Sequence, residues 1–141
     1  MACIFCQILE GKLPSNKVYE DDLVVAFLDA YPINSGHVLV VPKLHCELLS
    51  GLPVETAGRL FQVAQTVEKA VRASGVRCEA TNLVLNNGQA AGQEIPHAHL
   101  HIIPRFRGDG VRFQINQKKA GREELDTVAS GIVEKIKGFI F

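Results

Sequence analysis

The run Pro96-His97-Ala98-His99-Leu100-His101-Ile102-Ile103-Pro104 places histidine at every second position between two prolines. An alternation of period 2 suits an extended chain and no helix, because successive side chains of a strand point to opposite faces. The segment predicts a strand over 97–103, closed by Pro104. His97, His99 and His101 then share one face, and Ala98, Leu100 and Ile102 pack into a core on the other. Three imidazoles about 7 Å apart in succession gain nothing from packing, so this face is assigned to chemistry.

The rest of the chain must supply strands to pair with this one. Lys17 to Tyr19 and Leu23 to Asp29 are β-prone, with a hairpin turn at Glu20-Asp21-Asp22, and His37 to Val41 predicts a further strand stopped by Pro42. Asn82 to Asn86 is another. Ile4, Phe5, Ile8 and Leu9 fall at helical spacing, and Gly11 and Pro14 end that turn. Pro53 opens a long helix whose apolar residues Val54, Ala57, Leu60, Ala64, Val67 and Val71 keep i, i+3, i+4 spacing until Ser74-Gly75. Leu125, Val128, Ile132, Ile136 and Phe139 predict a C-terminal amphipathic helix over about 122–138. The expected class is α+β: a mostly antiparallel five-stranded sheet with one long helix and a C-terminal helix. At 141 residues, a single domain over 1–141 is expected.

Fifteen Lys+Arg balance fifteen Asp+Glu. This gives no electrostatic reason to expect a nucleic-acid polymer or an anionic membrane as partner. No apolar run approaches the roughly 20 residues that span a bilayer. The opening residues, Met1-Ala2-Cys3-Ile4-Phe5-Cys6, lack the basic and long apolar regions of a secretion signal, so a cytoplasmic protein is expected. Its four cysteines then read as thiols or metal ligands and not as a disulfide framework.

Two chemistries fit the histidine face. Alternating histidines with a distant third ligand can hold a catalytic zinc with an open position for water. Alternatively, one imidazole is a nucleophile. The preceding loop, Asn87-Gly88-Gln89-Ala90-Ala91-Gly92-Gln93-Glu94, is rich in glycine and amides whose backbone N–H groups are expected to be free to cradle phosphate oxygens, which favours phosphorus chemistry.

Several segments, in order, resemble the histidine triad superfamily of nucleotide hydrolases and transferases: Cys3-Ile4-Phe5-Cys6, Val18-Tyr19-Glu20-Asp21-Asp22, Ala26-Phe27-Leu28-Asp29, Gly36-His37-Val38-Leu39-Val40-Val41-Pro42-Lys43, Asn86-Asn87-Gly88 with Gly92-Gln93, and His97-Ala98-His99-Leu100-His101. The resemblance covers about residues 3–107 and looks closest to the bacterial branch.

The resemblance implies that His99 attacks the α-phosphorus of a purine nucleoside phosphoanhydride or phosphoramidate to give a covalent nucleotidyl-histidine. His101 would donate to a phosphoryl oxygen, and His37 would support the triad from the side. Ile4, Phe5, Ile8 and Phe27 match the apolar slot for the base, and Asp29 the carboxylate that accepts the ribose hydroxyls. Asn86, Gly92, Gln93, Glu94 and His101 match the phosphate end. Glu94 departs from the Ser or Thr that many members carry there to protonate the leaving group, which opens the alternative of a nucleotide-binding regulatory protein with little turnover. Cys3, Cys6, His45 and His97 resemble a Cys2His2 site for a structural Zn2+, since four protein ligands leave no place for an activated water. Family habit implies a homodimer formed through the long helix and its neighbouring strand.

Overall fold

The computed structural model describes residues 3–140; the expectation drawn from Met1-Ala2 lies outside the described residues. The chain forms two compact units, the first ending at Val111 and the second beginning at Arg112. In the first, α1 (Ile4–Leu9) precedes the strands β1 (Lys17–Glu20), β2 (Val24–Leu28) and β3 (Val38–Pro42). The helix α2 (Val54–Ala73) follows, then β4 (Ala80–Leu85) and β5 (Leu100–Arg105). The five strands make one antiparallel sheet in the order β1-β2-β3-β5-β4. The α+β class and the five-stranded antiparallel sheet are as expected. In the second unit, α3 (Arg122–Ile140) is the C-terminal helix. No described helix is long and apolar enough to cross a membrane.

Alternation along the central strands divides the core into two layers. Val24, Ala26, Val38, Val40, Ala98, Leu100 and Ile102 point to one side of the sheet, where Leu60, Val63, Ala64, Val67 and Val71 of α2 meet them. Val25, Phe27, Leu39 and Val41 point to the other, where Phe5 of α1 covers them. Each fully buried aliphatic side chain of this kind contributes about 1.5–3 kcal/mol. The twenty-residue α2 keeps its apolar stripe over five turns and ends where Ser74 caps the Val71 carbonyl, just before Gly75 at φ +90°.

Two boundaries of the histidine strand differ from expectation. Ladder pairing begins at Leu100 and not at His97. The β3–β5 register, in which Val40 faces Leu100, would next bring Pro42 opposite Ala98, and proline has no N–H for that rung. The Ala98 N–H turns instead to the Cys46 carbonyl, at 2.7 Å. The chain bends at His97, whose N–H donates to the Ile95 carbonyl at 2.8 Å, and joins the sheet only at Leu100. At the other end the strand runs through Pro104 to Arg105. Pairing with β3 ends at Ile102, so the missing N–H of Pro104 leaves no rung unmade, and its carbonyl accepts from Asn34 Nδ2 at 2.9 Å.

Candidate functional site

The sheet face that carries Phe5 also carries the triad rings. Phe5 meets His99 and His97 edge-on, with ring centroids 5.0 and 5.7 Å apart, and His99 meets His101 at 4.8 Å. His37, immediately before β3, closes the row against His101 at 5.2 Å. Gly36, at φ +92°, makes the turn that delivers His37. A Cβ there would lie 2.7 Å from Val76 Cγ1, so glycine is required both by conformation and by space. His97, His99 and His37 are buried, and no buried side-chain N or O atom lacks a hydrogen-bond partner among the described residues.

Complete pairing fixes where each imidazole keeps its proton. The Ile33 N–H donates to His37 Nδ1 at 3.0 Å, so neutral His37 carries its proton on Nε2 and donates it to His101 Nδ1 at 2.9 Å. His101 therefore carries its own proton on Nε2. His99 Nδ1 lies 2.7 Å from the His97 carbonyl, which can only accept. The proton of His99 is thus on Nδ1, and the lone pair is on Nε2. His97 donates Nε2–H to the Pro42 carbonyl at 2.8 Å, leaving its lone pair on Nδ1.

Burial disfavours the charged form of His101, His37 and His97. It is the main cause that lowers His101 to about 4, reinforced by the neighbouring His99 and His37. His37 is lowered by burial and by His99, against the opposing pull of Asp29, whose Oδ2 is 3.6 Å from His37 Nε2. His97 is lowered for the same reason, its bond to Pro42 opposing. Asp29, His37 and His101 lie close enough to offer a three-ligand group. Both nitrogens of His37 are already committed, however, to Ile33 and His101, so this cluster reads as a proton-ordering chain and not as a metal site.

A second cluster has the opposite character. The Sγ atoms of Cys3 and Cys6 and the Nδ1 atoms of His45 and His97 all lie within 4.8 Å of one another. Cys3 Sγ is 3.4 Å and Cys6 Sγ 3.7 Å from His97 Nδ1; Cys6 Sγ is 3.3 Å from His45 Nδ1, and the two Nδ1 atoms are 3.1 Å apart. Tetrahedral zinc, with bonds of about 2.0–2.3 Å, spaces its ligands about 3.3–3.8 Å apart. The donor set, the spacing and the unprotonated Nδ1 of His97 all fit a zinc ion.

The other expected residues are placed as follows. Phe5 and Phe27 are buried and meet edge-on at 5.7 Å, with Ile8 packed against them and Ile4 half exposed. Asp29 Oδ1 accepts from the Tyr31 N–H at 2.9 Å, so one oxygen of this carboxylate stabilises the turn after β2. Glu94 is exposed. In the glycine-rich loop the N–H groups of Gly88, Ala91, Gly92 and Gln93 are used within the loop, which narrows the expectation of free N–H groups to its other residues. A short 3-10 turn, Gln89–Ala91, sits between Gly88 and Gly92, both at positive φ. It folds the loop on itself, so that Ala91 and Gln93 donate to the Gly88 carbonyl and Gly92 to that of Gln89. The Gly88 N–H goes to Gln93 Oε1 at 2.7 Å. Sequence reasoning also missed the Pro42 and His97 carbonyls, which orient two of the rings; backbone acceptors leave no residue-type signal.

An antiparallel five-stranded sheet bearing a buried row of histidines with fixed protons defines a histidine triad protein. The chain belongs to the HIT domain family, whose model matches residues 10–108. It is 42% identical over 136 residues to adenylylsulfatase HINT3 of Arabidopsis thaliana, covering 96% of this chain and 68% of the relative. It superposes on the crystal structure of a HIT family member from Bacillus subtilis with a TM-score of 0.87, at 36% identity, covering 95% and 96% of the two chains. The Zn-bound histidine triad family protein of Mycobacterium smegmatis gives a TM-score of 0.75 at 35% identity, covering 98% and 97%. Members of the family are typically nucleotide hydrolases. Cys3, Phe5 and Cys6 precede the span that the family model matches.

Proposed function

We propose that this chain hydrolyses or transfers a nucleotidyl group through a covalent intermediate on His99. The observation that carries this reading is the bond from His99 Nδ1–H to the His97 carbonyl, which makes Nε2 the nitrogen that carries the lone pair for attack. Nε2 attacks the α-phosphorus, forming a P–N bond as the bond to the leaving group breaks and the leaving group departs with its electron pair. Water then adds to phosphorus, the P–N bond breaks, and the nucleoside monophosphate is released as His99 recovers its lone pair. His101, with its proton held on Nε2 by His37, donates to a phosphoryl oxygen as charge develops there.

Ile4, Phe5, Ile8 and Phe27 form the apolar wall for a purine base, and Oδ2 of Asp29, the oxygen not engaged by the Tyr31 N–H, accepts from ribose hydroxyls. Asn86, Gly92, Gln93 and Glu94 border the phosphate end. Cys3, Cys6, His45 and His97 hold a zinc ion that ties α1 to the strand carrying the triad. Zinc with all four positions filled by protein stabilises the fold and activates no water. Phe61 of α2 and Leu83 of the edge strand β4 are large, exposed and apolar, which supports a homodimer formed through these two elements; a concentration-independent mass near 15.4 kDa in sedimentation would exclude it.

The activity is tested with dinucleoside polyphosphates, adenosine phosphoramidates and adenylylated small molecules side by side. Adenylyl sulfate belongs in the last group because of the name of the Arabidopsis relative. Acid quenching with α-labelled substrate is expected to trap nucleotide on the protein. Absence of turnover and trapped label, with nucleotide still bound, would support the regulatory reading that Glu94 raises.

A further inference from the structure

The metal cluster and the phosphate-end loop share a connection that the triad does not use. Residues 45–48 belong to no strand or helix, and besides Cys46 packing on the core they are placed by their hydrogen-bond ties. His45 supplies Nδ1 to the metal cluster. The Cys46 carbonyl accepts from the Ala98 N–H at 2.7 Å, between two triad histidines. The Glu47 carbonyl accepts from Gln93 Nε2 at 2.8 Å, and the Leu49 N–H donates to Asn87 Oδ1 at 2.8 Å. Gln93 is only 7% exposed, and the other end of its amide holds the Gly88 N–H. One buried amide thus clamps the two ends of the 88–93 turn and anchors that turn to the segment bearing a metal ligand.

We propose that residues 45–49 are a strut that couples zinc occupancy to order in the 88–93 loop, with Gln93 as the positioning residue at the joint. The inference rests on the zinc and nucleotide readings given above. An irregular segment held at one end by a metal and at the other by a phosphate-end loop is ordered once for both ligands. Whichever binds first bears the entropic cost, and the second binds more tightly for it. Linkage makes the effect reciprocal: nucleotide must tighten zinc by the factor by which zinc tightens nucleotide.

The test measures zinc affinity by competition with a chromogenic chelator, with and without saturating AMP, so the readout is independent of turnover. In the wild type, AMP is expected to strengthen zinc retention about fivefold or more. Gln93→Glu keeps an acceptor for the Gly88 N–H but sets a carboxylate against the Glu47 carbonyl. It should still bind zinc alone, yet, at an AMP concentration its own AMP titration shows to be saturating, give a shift under twofold. Asn87→Ala, which removes the second tie, should reduce the shift as well, and it serves if Gln93→Glu fails to fold. A wild-type zinc affinity that AMP leaves within twofold, or a full shift retained in either folded variant, overturns the coupling. Zinc that never binds, or AMP that never binds, overturns it together with the corresponding underlying reading, and the separate titrations show which.

Discussion

His37 Nε2 lies 2.9 Å from His101 Nδ1, and the Ile33 N–H holds the far side of the His37 ring. A main-chain amide thus decides, through two imidazoles, which atom of His101 presents a proton. His101→Asn or His37→Ala should lower kcat more than they raise KM, because the donor they disturb matters most when phosphoryl charge develops. Equal effects on nucleotide affinity and turnover would count against that role.

His99→Ala removes the nucleophile and leaves Phe5, Phe27 and Asp29 in place. It should still bind AMP but lose at least about three orders of magnitude in turnover, with no label trapped on the protein. A loss within about tenfold, or under roughly 1.4 kcal/mol in the barrier, is too small for a covalent nucleophile.

Stability should fall on mild acidification. His101 titrates near 4 in the fold, against 6.5 for an unburied histidine. Between these values the unfolded chain takes up a proton that the folded chain refuses, so stability present above about pH 6.5 is lost as pH falls toward 4. The amount is at most about 3 kcal/mol from this ring. His37 and His97, also lowered by burial, act with the same sign. Urea midpoints measured from pH 7 to 4 should decline for the wild type and less steeply for His101→Gln. Identical slopes would show that His101 is not a source of the effect.

One zinc per chain is expected in protein purified without chelator, and Cys3→Ser or chelation should lower the melting temperature by several degrees or more. Metal analysis finding no zinc, with unchanged melting of Cys3→Ser, would remove the site.

Asp29→Ala should weaken AMP by about 1.5–3 kcal/mol and deoxy-AMP by much less, since hydrogen bonds to a charged group fall in that range. Asp29→Asn retains an acceptor for the Tyr31 N–H and so separates turn from ligand. Equal losses for both nucleotides would make Asp29 a turn residue only.

Much of this was legible in residue order. Period 2 in Ala98, Leu100 and Ile102 and period 3.6 in Leu60, Ala64, Val67 and Val71 placed the core-facing sides correctly, since burial of one face is what those patterns encode. The cluster of Cys3, Cys6, His45 and His97 followed from resemblance, and the structure draws those four atoms together. The strand boundaries did not follow: alternation reports extended backbone, and whether it is paired depends on a neighbour such as Pro42. The internal bonds of the loop were not legible either, because composition reveals glycine's freedom but not that Gly88 and Gly92 use it to close the turn on itself.

Pro42 works as a stop on a zipper. Its ring withholds the donor that would carry β3 and β5 one rung further, while its carbonyl, released from the ladder, steers His97. Any other amino acid at this position would add an N–H able to donate to the Ala98 carbonyl, and completing that rung would draw the Ala98 N–H from the Cys46 carbonyl to the carbonyl of residue 42. The sheet would gain a hydrogen bond and the protein would risk its working end: His99 sits just past the last fastened tooth, on backbone that the Cys46 carbonyl and not the sheet holds in place.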